Sequence, residues 1–434
     1  MRDEHIQWLR EELPTLVEQG VLTAEAAEQL RRHYGAPGER AGRRWALSAF
    51  SVFGALLIGA GIISLLAYNW ASFPRAVRAA LSFAQLLIGQ AAGLRVLLRP
   101  RPSSAAREGA ATFLMLTVGA SLALVSQTYH LPGDFGAFTL TWMLLSLPLV
   151  YIFRASAPAL FYLVGITGWA CNRITQHAPA DAFWALALAV APHVYAVARA
   201  NRFGLAAVFL VEAAAVCLLV FAGFATAWWW KPIPFQVFSW LLGLYYLVDA
   251  CAYREAPGAR QRPLRALGVL GILALAFPLT WRAAIGEAHW LGEPFRVLGG
   301  VSGWILTGLA PAAVLALLGW CVARRRWGAL LFGAFPIVGL VGNALAHQPG
   351  WRAGVFVYFN AYVFVLGLGT LVAGVRARRA GTVNGGLFLL GALIAARFFD
   401  LDIGFVLKGV VFILLGIGFL ASNLALARRR RRAA

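Results

Sequence analysis

From residue 45 to residue 427 this chain is a succession of apolar runs parted by short breaks that carry arginine or tryptophan. The runs are about 17–25 residues long, the length at which a helix crosses the hydrocarbon core of a bilayer. In lipid every main-chain polar group must find its partner within protein, so helices are the element such runs can form. Composition agrees: 60% of residues are hydrophobic, 13% are charged and mean hydropathy is +0.71. The expected fold is all-α, a polytopic transmembrane bundle of about fourteen spans. Residues 1–44 are expected to form a short cytoplasmic two-helix head, 45–427 the membrane domain and 428–434 a basic cytoplasmic tail.

The spans are placed near 46–68, 75–98, 109–128, 137–153, 156–172, 181–198, 203–225, 235–251, 264–280, 299–323, 327–346, 353–375, 382–398 and 404–427. Charge supports the alternation. Most of the 38 basic residues fall in the head, the tail and every second loop: Arg99, Arg101 and Arg107, then Arg154, Arg199 and Arg202, Arg254–Arg265, Arg324–Arg326 and Arg376–Arg379. By the positive-inside rule those loops are cytoplasmic, as are both termini. Trp70, Trp228–Trp230, Trp281, Trp290 and Trp351 fall at the outer boundary, where an apolar ring with one polar N–H is at home.

The formal charge of +20 does not point to nucleic acid, because the basic residues sit in short loops between apolar runs. The lipid bilayer is the expected partner, with arginines facing an anionic leaflet. No export signal with a short apolar core is visible at the start; the first span is expected to direct insertion. Cys171, Cys217, Cys251 and Cys321 are read at different depths and therefore as free thiols. They form no CxxC and no His/Cys cluster, and Walker, GxGxxG, HExxH and GxSxG signatures are missing. No cofactor, metal or catalytic set is expected.

In the head, Ile6, Leu9, Leu13 and Leu16 keep helical spacing and Gly20 stops the helix. Thr23 caps a second helix that ends at Gly35. A cytoplasmic protein partner is one expected use of this hairpin. In the spans, Gly89-x-x-x-Gly93, Gly299-x-x-x-Gly303 and Gly381-x-x-x-Gly385 are candidate helix contacts.

Three stretches carry a resemblance: Gly54–Trp70, which ends in Ala-x-Asn-Trp; Gln127–Asp134; and Arg397–Asp400 before a Gly-rich span and a basic tail. With the Gly20-Val-Leu-Thr head, the chain resembles the bacterial predicted-membrane-protein family catalogued as domain of unknown function 2157. The resemblance covers the head, the first four or five spans and the C-terminal pair. It implies a bacterial inner-membrane location and brings no activity.

Two constellations stand out. An outer polar cluster comprises Asn69, Gln127, Tyr129, His130, Asp134, Arg397, Asp400, Asp402 and Lys408, a set able to hold a small polar solute. The plainer reading is a ring of ion pairs and caps, with Asp134 in a turn and Lys408 snorkelling. Deeper, Glu212 lies roughly 13 Å past the cytoplasmic edge at ~1.5 Å per residue. His193, on the preceding antiparallel span, would meet it across the hairpin. An intramembrane carboxylate with a histidine suits proton transfer; it equally suits a hydrogen-bonded lock. Asp249 is read as a boundary ion pair with Arg254.

Three functions follow as expectations: transport-type handling of a small polar solute, ion or lipid; a scaffold or sensor with an interacting head; and an enzyme acting on a lipid-linked substrate through His130 and the outer carboxylates.

Overall fold

The computed structural model describes residues 12–34, 70–227, 234–256, 258–281 and 300–400, with the single positions 410, 413 and 417. It divides into two compact units, Met1–Leu81 and Ser82–Ala434. In the first, residues 12–18 are helical and α1 (Ala24–Tyr34) follows the Gly20 turn, where φ is +71°. Thr23 Oγ1 accepts the N–H of Ala26 at 3.2 Å, so Thr23 is the cap its position predicts. Leu13 and Ala27 are buried. Residues 1–11 and 35–69, including Asn69 and the span near 46–68, lie outside the described residues, as does the span near 404–427 apart from those single positions.

The remaining helices are α2 (Arg75–Leu97), α3 (Ser104–Tyr129), α4 (Phe135–Phe153), α5 (Ser156–Thr175), α6 (Ala182–Ala200), α7 (Leu205–Ala227) and α8 (Pro234–Ala252). Then come α9 (Arg265–Ala276), α10 (Gly300–Trp304), α11 (Ala310–Ala323), α12 (Trp327–Gly333), α13 (Phe335–Ala346), α14 (Arg352–Arg376) and α15 (Ala380–Asp400). Each predicted span between 75 and 398 is occupied by helix. Among the described residues nine helices are long and apolar enough to cross a membrane. A tenth is added if α12 and α13, bent by 42°, count as one span. The segment Arg265–Thr280 is too short for that criterion, and α5 is long enough but less apolar.

Two helix groups pack within the second unit. The first core is built by α3 to α7 around Met115, Met143, Tyr162, Ile166 and Phe221. The second joins α8, α9 and α13 to α15 around Tyr245, Ile272, Phe335, Phe359 and Leu366. Helix α7 serves both: Leu210, Cys217 and Phe221 face the first core, while Ala215 packs in the second. On the other side of α7, Leu205, Phe209, Val216 and Val220 are exposed at helical spacing, as a lipid-facing stripe requires.

Small residues set the closest approaches. Gly89 leaves room for Thr117 and Leu114, and Gly93 for Phe153, so this predicted motif is the α2–α3 seam. Gly381 and Gly385 face open space instead. The α14–α15 seam is made by Gly367, Gly374 and Gly386; a Cβ on Gly386 would stand 2.5 Å from the main-chain nitrogen of Leu371. Backbone crowding of that kind cannot be relieved by a rotamer change.

Among the described residues two spans are broken, both in the second half, and one helix ends in a tightened turn. A π turn, Ile305–Leu309, separates α10 from α11. The bend between α12 and α13 precedes Pro336, which has no N–H to continue the ladder. Helix α9 tightens into a 3-10 turn at Pro278–Thr280.

Candidate functional site

The turns 97–104, 153–156, 200–205, 252–265, 323–327 and 376–380 carry arginine and lie at one end of the second unit. Three contacts link neighbouring helix ends there. Glu108 reaches Ser156, Arg202 reaches the Ala252 carbonyl at 3.2 Å, and Tyr246 Oη donates to the Gly328 carbonyl at 3.4 Å. This is the arginine-rich end.

Here the outstanding arrangement is centred on Glu108. Helix α5 starts at Ala155, whose side chain offers no cap. Its first amides are instead bonded from outside: Ser156 N–H donates to Glu108 Oε1 at 2.8 Å and Ala157 N–H to Oε2 at 2.7 Å. A carboxylate on two helix-start amides also gains from the helix dipole. The Ala155 main chain also neighbours the His193 imidazole, whose Nε2 is a buried atom with no hydrogen-bond partner among the described residues. His193 is buried, its ring meets Tyr151 edge-on at 6.1 Å, and Tyr151 Oη donates to the Ala189 carbonyl. His193 thus stands one peptide group away from Glu108, whose charge acts on it.

Glu212 is half-buried on α7 and forms no hydrogen bond or ion pair with His193 or with any other residue, among the described residues. Sequence reasoning missed Glu108. The signal was the bare start of α5, Ala-Ser-Ala-Pro, which needs an acceptor from elsewhere.

Asp249 is an ion-paired boundary residue, but its partner is Arg262 at 3.2 Å, not Arg254. The Asp249 side chain is 1% exposed and that of Arg262 14%. Arg262 also donates from Nε to the Tyr253 carbonyl at 3.2 Å, which holds the guanidinium over the end of α8. Burial, with Arg265 beside it, pushes Arg262 below the ordinary arginine range against the pull of Asp249. Burial and then the nearby Asp249 push the Tyr253 phenol up, while Arg202 opposes the rise.

At the opposite end the predicted outer cluster divides between the two helix groups. Gln127, Tyr129 and His130 are exposed at the close of α3, where His130 takes the left-handed conformation (φ 51°) that stops the helix. Asp134 caps α4 by accepting the Ala137 N–H at 2.6 Å. Gly136 lies between Asp134 and Asn172, and a Cβ there would stand 3.0 Å from the Asn172 Oδ1. Asp181 makes a third joint of this kind. Its Oδ1 accepts the Ser302 N–H at 3.0 Å and the Ser302 hydroxyl at 2.5 Å, and Trp184 Nε1 donates to the same hydroxyl at 3.0 Å.

Arg397 belongs to the second group. Its guanidinium lies over the Phe356 ring, 4.8 Å from the centroid, and Nη2 donates to Thr280 Oγ1 at 3.4 Å. Thr280 is fully buried at the 3-10 end of α9, and its carbonyl accepts Asn360 Nδ2 at 3.1 Å. Asn360 also donates to the Phe356 carbonyl at 2.8 Å, and its Oδ1 is a buried acceptor with no partner among the described residues. Nearby on the same end of α8 and α13, Gln236 Nε2 donates to the Pro336 carbonyl at 3.3 Å, and Ser239 and Asn343 are fully buried. Arg397 and Asn360, from two continuous helices, therefore meet at Thr280, where α9 ends in its 3-10 turn. Asp402 and Lys408 lie outside the described residues, as does the side chain of Asp400.

Fold and site together define a polytopic α-helical membrane protein. Residues 14–159 match the family model described as Predicted membrane protein (DUF2157), the family its motifs resemble. No curated protein and no solved structure matches the chain.

Proposed function

We propose that the chain is a transport-type protein of the bacterial inner membrane, with about fourteen spans, both termini and the arginine-rich end in the cytoplasm, and a small polar solute, ion or lipid as its cargo. The observation that carries this reading is the group Arg397–Thr280–Asn360 at the 3-10 end of α9. Main-chain groups left over at a helix end at membrane depth are tolerated where they are buried in protein or line a cavity, and helix ends of that kind contribute to many transport sites. The solute would meet Arg397 and Asn360 first. Glu212, a mid-span carboxylate without a bonded neighbour among the described residues, would be the coupling group.

The test is ligand-dependent stabilisation of the purified protein. A panel of small carboxylates, phosphates, sugars and metal-free salts is screened by melting temperature. At least one class is expected to raise it in the parent and not in Arg397→Gln. A panel without effect, or a shift that persists in Arg397→Gln, contradicts the reading.

A second reading is a scaffold or sensor. It is favoured by the joints at Glu108, Asp134 and Asp181, each of which spends a carboxylate on fixing a helix start. On that reading deleting residues 1–44, with a cytoplasmic partner lost, abolishes function while Glu212→Gln is silent.

A further inference from the structure

Two of the four cysteines meet. Cys251, in the last turn of α8, and Cys321, near the end of α11, bring their sulfurs to 3.9 Å at the arginine-rich end. Both thiols are free, Cys321 is fully buried and Cys251 is partly exposed. They were expected at different depths; α8 and α11 run parallel into the arginine-rich end, which puts their last turns, and the two cysteines, at one level. A third group is built in. The main-chain N–H of Arg326 donates to the Cys321 carbonyl at 2.8 Å, and the Arg326 guanidinium lies over the Trp320 ring at 4.3 Å. Its Nη1 is a buried donor with no hydrogen-bond partner among the described residues.

We propose that Cys251 and Cys321 form a redox-active dithiol, which a hydroperoxide converts to a disulfide joining α8 to α11. The Cys251 thiolate attacks one peroxide oxygen, and the O–O bond breaks. With hydrogen peroxide, one oxygen leaves as hydroxide, takes up the thiol proton and becomes water, while the sulfur becomes sulfenic acid. The Cys321 thiol then attacks that sulfur. The S–S bond forms, the S–O bond breaks, and the departing hydroxide takes the Cys321 proton as a second water. Both sulfurs are oxidised and both peroxide oxygens reduced, so two thiols and one peroxide yield one disulfide and two waters. The sulfurs must close by roughly 2 Å to reach an S–S bond of about 2.05 Å. The bond would lock α8, which carries Asp249 and Gln236, to the helix that follows the π turn.

The test uses the full chain with Cys171→Ser and Cys217→Ser, in native membranes treated with hydrogen peroxide. Remaining thiols are then counted in denaturant with a maleimide that shifts the band. Two adducts are expected before oxidation, none after, and two again after dithiothreitol, with the monomer band unchanged on a non-reducing gel. Cys251→Ser in the same background should keep its single adduct at the peroxide dose that removes both from the parent. Two adducts persisting at a dose that oxidises the denatured chain would overturn the proposal. So would a disulfide-linked dimer in place of the internal bond.

Discussion

Glu108 Oε1 accepts the main-chain N–H of Ser156 at 2.8 Å, so the start of one membrane helix is capped by a carboxylate from the start of another. The second oxygen holds Ala157, and no side chain of α5 can take over, since the cap position is Ala155. Glu108→Ala should lower stability by about 2 kcal/mol, the scale of losing hydrogen bonds to a charged acceptor. Glu108→Gln, which retains one acceptor oxygen, should lose less. Melting temperatures in detergent check both.

Arg262→Ala leaves Asp249 buried and unpaired, and should cost about 3 kcal/mol. Replacing both residues with leucine removes the stranded charge and should recover most of that loss. Arg254→Ala, the partner expected from sequence, should change stability little. A double-mutant cycle on melting temperature separates the cases.

The Tyr253 phenol is held protonated by burial, so its folded value is raised above the ordinary 10.0. The sign follows from linkage: the unfolded chain loses the proton first as pH rises. The contribution is fully present below the unfolded value, falls as pH climbs beyond it and is lost once the folded value is passed. Tyr253→Phe, which cannot ionise, should flatten the decline of melting temperature on the alkaline side of pH 10. An unchanged alkaline slope would refute the assignment.

The α14–α15 seam gives a contrast between neighbouring glycines. Gly386→Ala places a Cβ against the Leu371 backbone and should destabilise by about 1–3 kcal/mol. Gly381→Ala and Gly385→Ala meet nothing within 4 Å and should be neutral or slightly stabilising. The reverse order would mean that the GxxxG pair, not Gly386, makes the contact.

Helix positions are legible in this chain because length and apolarity in lipid leave few alternatives; every span expected from 75 to 398 is helical. Side-chain partners are less legible. Asp249 is readable as a boundary ion, but the path of residues 253–264 decides which arginine turns back to it. His193 is readable as a buried polar residue. Its companion is Glu108 and not Glu212, because α6 presents it to the start of α5, far away in sequence. His130 and Asp134 read as chemistry and fold as a helix stop and a cap, roles that their place beside Pro132 and Gly133 already hints at. Asn360 is legible as a polar group that bonds between helices, and it does so to the Thr280 carbonyl. Thr280 is not, because a threonine in an apolar run looks like an isolated polar spot; the end of α9 brings it to Arg397.

The central claim is that water reaches the Arg397–Thr280–Asn360 group from outside and continues to Glu212. Single cysteines at 129, 193, 212 and 360, in a background without the native four, are exposed in intact cells to a membrane-impermeant thiol reagent. The account predicts labelling at 129, on the exposed turn that closes α3, and at 360 and 212, with 193 protected. Labelling at 129 with 360 and 212 both silent would contradict it, leaving two dry helix locks and a protein that holds its shape without moving a solute.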